Sequence, residues 1–237
     1  MFNKKYIITS EEFNEITDLL DSLELVFKKP NFDNLRLISN YIDENNVVSL
    51  FSCICEQIGR KIEFTYIDDF LWKNNSPVLY DFLRDKNNQI FKIEIYNYSR
   101  QVIDIALLSF LFEIAKVEID EKFDEGELKF LENPRALELN QLLFIFYWGF
   151  GFLLLSRITI NYKFRDTNTN QLFSGFYELP MDIEYLAFLE ALIKYRYDKE
   201  NELEVFHKIL IKKSSLLINS FYRNISNKND ITSGITN

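Results

Sequence analysis

Apolar residues recur at helical spacing near the N-terminus. Phe13, Ile16, Leu19, Leu20 and Leu23 fall on one face, and Thr9 with Glu12 has the spacing of a capping box. This predicts a helix from about Ser10 to Leu23. Pro30 interrupts the helical pattern. Asp33 is placed to cap a second helix with Leu35, Ile38 and Ile42 inside, and Val47 to Ile58 reads as a third, closed by Gly59. The period then shortens to that of a strand over Ile62–Ile67 and again over Ile90–Tyr98, where Phe91, Ile93 and Ile95 alternate with Lys92, Glu94 and Tyr96. Between them, Ser76-Pro77 predicts a short helix through Leu83 with proline in its first turn, and Asp85–Asn88 a polar turn. An apolar helix is expected from Ser99 or Arg100 to about Val117. The acidic stretch after it leads to a short helix ending near Asn133-Pro134.

Arg135 to Arg157 carries two patterns at once. Its length favours a helix. Phe144, Phe146, Trp148, Phe150 and Phe152 nevertheless sit at alternate positions around Gly149 and Gly151, as in a strand with one aromatic face. Length decides for a helix. Ile158–Phe164 and Leu172–Tyr177 flank Asp166-Thr167-Asn168-Thr169-Asn170, the signature of a β-hairpin. Helices are expected from Pro180 to about Tyr197 and from about Asn201 to Ile225.

The fold class is therefore α+β, predominantly helical, with small antiparallel β-hairpin elements. Ile62–Ile67 is expected to pair antiparallel with Ile90–Tyr98. Residues 1–60 form a helical N-terminal region. Residues 61–225 form an α+β region with the hairpin near 158–178 and two C-terminal helices, expected to make one compact unit with 1–60. Residues 226–237 are a flexible polar tail. There is no internal repeat.

Composition adds an aromatic surplus. The chain has 237 residues, 47% apolar, with 23 Phe and 13 Tyr. That is enough for a core and a protein interface besides. The net charge of -9 repels phosphate backbones, which argues against nucleic-acid binding. Lys194–Lys228 holds eight basic residues against four acidic, and Glu113–Glu138 nine acidic against four basic. Solvated helix faces account for both. Cys53 and Cys55 stand too close to bridge, and such sparse cysteine suits a reducing cytoplasm. The apolar run at the N-terminus is too short for a signal peptide. Leu139–Ser156 lacks charge, but its apolar core, Leu142–Leu155, falls short of the roughly 20 residues a spanning helix needs. A buried core element is expected there, with membrane association the less favoured alternative.

Catalytic chemistry finds little footing. His207 is the one histidine, and no nucleophile-elbow pattern accompanies it. The six glycines do not cluster into a phosphate loop. Glu121–Glu132 has the rhythm of a calcium loop with Gly126 at its sixth place, but Phe123 stands where a ligand oxygen is required. Glu127-Leu128-Lys129 has local nuclease spacing in a helical context, and Asp68-Asp69 reads as a helix cap. No catalytic residue, cofactor or metal site is expected.

From Arg157 onward a sequence of short motifs resembles one family. Arg157-Ile-Thr-Ile-Asn-Tyr-Lys-Phe164 is followed by Leu172-Phe-Ser-Gly-Phe-Tyr-Glu-Leu-Pro180. Glu184-Tyr185-Leu186, Leu203-Glu-Val-Phe-His207 and Phe221-Tyr222-Arg223 come next. The order resembles the central region of TssG, the baseplate wedge subunit of type VI secretion systems. The stretch from Phe206 to Phe221 is longer than in that family by about two helical turns. The family also continues past this region, whereas the present sequence ends at Asn237. The resemblance implies a scaffold that packs against other protein subunits without catalysis. It marks Leu179, Pro180, Glu184, Tyr185, Phe206, His207, Phe221, Tyr222 and Arg223 as candidate contacts. The charge balance admits a second reading, an acidic immunity or inhibitor protein that occludes a basic toxin or effector.

Overall fold

A computed structural model describes residues 8–27, 41, 46–68, 72–73, 76–77, 79–85, 90–96, 102–124, 134–156, 159–166, 169–178, 182–197 and 212–233. The architecture is α+β and mostly helical, with seven helices among the described residues. The chain divides into two compact units, each assembled from separated segments. One takes Met1–Lys29, Ile114–Ile158 and Pro180–Asn237, the other Pro30–Glu113 and Thr159–Leu179. Both units draw on residues 1–60 and on residues 61–225.

The first unit is helical. Helix α1 (Ser10–Val26) opens with the expected capping box: the Glu12 N–H donates to Thr9 Oγ1 at 3.1 Å, and the Thr9 N–H donates to Glu12 Oε2 at 3.0 Å. Ile16, Leu19, Leu20 and Leu23 are buried, as their spacing requires. The ambiguous stretch after Arg135 is helical but interrupted. It forms α4 (Pro134–Tyr147) and α5 (Gly151–Ser156). Gly149, at φ +83°, ends α4 in a Schellman motif: its N–H donates to the Phe146 carbonyl and the Phe150 N–H to the Ile145 carbonyl, both at 2.9 Å. Every residue from Leu142 to Leu155 is buried. A helix apolar on all sides belongs in a core, so alternate-position aromatics here carry no strand signal. Among the described residues no helix is long and apolar enough to cross a membrane.

Helix α6 (Ile183–Arg196) runs through this core, with Leu186 to Lys194 buried without interruption. The last helix, α7 (Lys212–Ser233), packs along α6 and continues past Ile225, beyond its expected end. Ser214 Oγ donates to the Leu155 carbonyl at 3.3 Å.

The second unit holds α2 (Val47–Gln57) and a three-stranded sheet of β1 (Lys61–Ile67), β4 (Tyr80–Asp85) and β5 (Ile90–Tyr96) in the order β1-β5-β4. Two expectations fail here. Ser76–Leu83 is not a helix: Ser76–Pro77 (β3) pairs with Trp72–Lys73 (β2), and Tyr80–Asp85 lies in the sheet. Pairing of Tyr80 and Phe82 with Ile95 and Ile93 outweighs the proline signal for a helix start. β1 and β5 do pair, but in parallel, Lys61 opposite Ile90 and Ile67 opposite Tyr96. The short connection from β4 gives that strand the antiparallel side of β5. The longer path from β1 then allows a parallel crossover on the other side. Phe91, Ile93 and Ile95 are buried as expected.

The apolar helix begins at Ile103 and runs on past Val117 as α3 (Ile103–Asp124). In the second unit, Phe110 of α3 stacks on Phe51 of α2 at 3.8 Å with the planes 5° apart. Tyr80 meets both rings edge-on and donates its hydroxyl to Glu113 Oε2 at 2.8 Å. Burial first, and then the Glu113 carboxylate, raise the Tyr80 phenol far above its ordinary pKa. The predicted hairpin is present as β6 (Thr159–Arg165) and β7 (Leu172–Glu178), paired antiparallel. Its loop is held by Asp166: Oδ1 accepts from the Thr169 N–H at 3.2 Å, and its own N–H donates to the Gln171 carbonyl at 3.0 Å.

Candidate functional site

The residues marked by sequence do not gather at one place. Leu179, Pro180, Phe206 and His207 lie outside the described residues, as does most of the Glu121–Glu132 stretch. Glu184 and Tyr185 are half-buried in the first turn of α6, and Phe221 and Tyr222 are half-buried on α7. The Phe221 ring meets Phe188 edge-on at 5.8 Å, and Tyr222 meets Tyr195 at 6.1 Å. Lys194 Nζ stands 4.9 Å from the centre of the Tyr222 ring. These two aromatics thus join α7 to α6. Of the marked residues that are described, Arg223 alone is exposed.

Two features escaped the sequence reading. The first is Glu190, which is 8% exposed at the middle of α6. Its Oε2 makes no hydrogen bond, and a Cβ built on Gly151 would collide with that oxygen and with the Phe146 ring. Burial pushes the Glu190 carboxyl up to about 8, against the pull of Lys194 one turn along the helix. The carboxyl is therefore neutral in the fold at pH 7. Its signal was available in Leu186-Ala-Phe-Leu-Glu-Ala-Leu-Ile193, where apolar residues surround the acid on every side of the helix.

The second feature is the outer face of the β6–β7 hairpin. Strand alternation puts Ile160, Tyr162 and Phe164 on one side and Asn161, Lys163 and Arg165 on the other. On the inner side Tyr162, Phe164 and Phe173 form a ladder of stacked rings that packs with Val102, Leu79 and Ile105. On the outer side the register places Asn161 opposite Phe176, Lys163 opposite Ser174 and Arg165 opposite Leu172. Leu172 is 58% exposed and Phe176 70%. The Arg165 guanidinium donates to Asn170 Oδ1 at 2.8 Å. Asn170, at φ +58°, occupies the left-handed region that asparagine tolerates. The sequence signal for this face is that both phases of β7 carry large apolar residues.

Other polar groups serve the scaffold. Arg196 at the end of α6 donates to Glu24 at 2.5 Å through Nε and also to Asp21, while the Tyr197 hydroxyl donates to Glu24 at 2.6 Å. These bonds tie α6 to α1. Cys53 and Cys55 are buried on α2 and form no disulfide, and burial, then Glu56, pushes the Cys53 thiol up to about 11, which disfavours its thiolate. Among the described residues no cluster of His, Cys, Asp or Glu side chains is placed to hold a metal ion. Comparison with protein-family models, with curated proteins and with solved structures gives no match to this chain.

Proposed function

We propose that this chain is a non-catalytic structural or interaction subunit of a multi-protein assembly. The observation that carries this reading is the outer hairpin face. A lone exposed apolar residue is ordinary, but Phe176 and Leu172 share one strip, beside two exposed cations, on a hairpin anchored from below. The resemblance of the segment from Arg157 to Arg223 to the wedge subunit of contractile secretion baseplates supports the finer form, a baseplate component. An acidic inhibitor of a basic toxin is the second reading, supported by the net charge of -9. The exposed apolar strip adjoins cations, which favours the first.

The test is the native mass of the tagged chain expressed at natural level in its own cells. A complex of several different proteins at fixed stoichiometry is expected. A lone chain, or a one-to-one complex with a basic toxin, would overturn the assembly reading.

A further inference from the structure

We propose that the outer face of the β6–β7 hairpin receives an acidic amphipathic helix from a partner protein. This rests on the reading of the chain as an interaction subunit. The face has two strips. β6 presents Asn161, Lys163 and Arg165; β7 presents Leu172, Ser174 and Phe176; all six are exposed. Paired strands lie about 4.8 Å apart, and a helix with its side chains is roughly 10 Å across. A helix laid along the hairpin therefore covers both strips at once. Its aliphatic stripe meets Phe176 and Leu172, and carboxylates on the adjoining flank meet Lys163 and Arg165.

Charge selects the occupant. Lys163 and Arg165 stand toward the loop end of this face, and the acidic residue in phase with them, Glu178 opposite Thr159, stands at the other end of β7, on a chain whose net charge is -9. The loop end of the face is thus a local positive patch on an acidic protein. A nucleic-acid backbone or an anionic bilayer would bring continuous negative charge against that acidic body, and a nucleic-acid backbone leaves the exposed leucine beside the cations without a role. A helix brings a few carboxylates to the patch and apolar side chains to the neighbouring strip. The face is also preorganised. The stacked rings of Tyr162, Phe164 and Phe173 fix it from beneath, and the Asp166 loop fixes its tip.

The probe is a synthetic helix of about 20 residues with leucines on one flank and glutamates on the next. Controls carry glutamine or lysine in place of glutamate. Binding to the full chain is read by fluorescence anisotropy of labelled peptide. The acidic peptide should bind, and both controls should bind at least about tenfold more weakly. Lys163→Glu with Arg165→Glu, and separately Phe176→Ser, should each weaken the acidic peptide by about tenfold or more. Circular dichroism of these surface variants should match the parent. The proposal is overturned if the acidic peptide fails to bind, if the lysine control binds equally, or if the variants bind like the parent. It is equally overturned if a single-stranded oligonucleotide or a phosphatidylserine vesicle binds better, or if Phe176→Ser abolishes self-association. A native assembly that survives Phe176→Ser would remove this surface yet leave the interaction-subunit reading standing. A chain that purifies alone but binds the acidic peptide through these residues would do the reverse.

Discussion

Glu190 Oε2 occupies the space that a side chain on Gly151 would need. The glycine lets α5 approach α6 until a buried carboxyl faces backbone and the Phe146 ring, with no hydrogen bond to that oxygen. A carboxylate left so costs far more than a neutral acid, so the fold selects the protonated form.

Stability should therefore fall as pH rises. Glu190 is raised from its ordinary value to about 8 in the fold, so between about 4.5 and 8 the folded state holds a proton that the unfolded chain releases. The contribution is fully present below the unfolded pKa and is lost as pH climbs through the folded one. The slope approaches about 1.4 kcal/mol per pH unit. Lys194 is the charged neighbour that limits the shift. Urea unfolding from pH 5 to 9 should show this decline in the parent and lose it in Glu190→Gln. Parallel curves for the two proteins would rule the assignment out.

Gly151→Ala should destabilise, against the usual sign. Glycine to alanine in a helix ordinarily gains up to about 1 kcal/mol. Here the new methyl meets the Phe146 ring and the Glu190 carboxyl, so a loss of about 1–3 kcal/mol is expected in urea midpoints. A gain would mean that α5 and α6 stand further apart.

How much of this was legible in sequence depended on how local its cause was. Thr9 and Glu12 announced the start of α1 because a capping box is complete within four residues. Asp166 to Asn170 announced the hairpin for the same reason. Ser76-Pro77 misled, because the pairing of Tyr80 and Phe82 with β5 depends on residues more than ten positions away. The direction of β1 against β5 depends on the path between them, which no local pattern encodes. For the candidate surfaces, Phe221 and Tyr222 looked outward in a motif but meet Phe188, Tyr195 and Lys194 once α7 lies on α6. The exposed strip of Leu172 and Phe176 was hidden because an apolar residue in a strand is ordinarily assigned to the core.

The stacked pair Phe51 and Phe110 should be the main support of the second unit's aromatic cluster, with Tyr80 closing it edge-on. Phe110→Ala should cost about 3–5 kcal/mol, since both rings are fully buried. Tyr80→Phe, which removes only the bond to Glu113, should cost about 1–2 kcal/mol. Chemical denaturation of both variants checks the ranking, and the reverse order would contradict the stacked geometry.

The two faces of β7 should respond oppositely to substitution. Gly175 lies opposite Tyr162 on the inner side, and a Cβ there would stand 2.6 Å from the Tyr162 hydroxyl oxygen. Gly175→Ala must therefore displace the tyrosine from its stack on Phe164, a loss of about 1–2 kcal/mol because the tip of the side chain can partly yield. Phe176 is the next residue and faces outward, so Phe176→Ser should change stability by no more than about 0.5 kcal/mol. Unfolding midpoints of the two variants measured side by side decide the matter. If Phe176→Ser were the more damaging, its ring would be part of the core in solution, and the outer face could not be a docking surface.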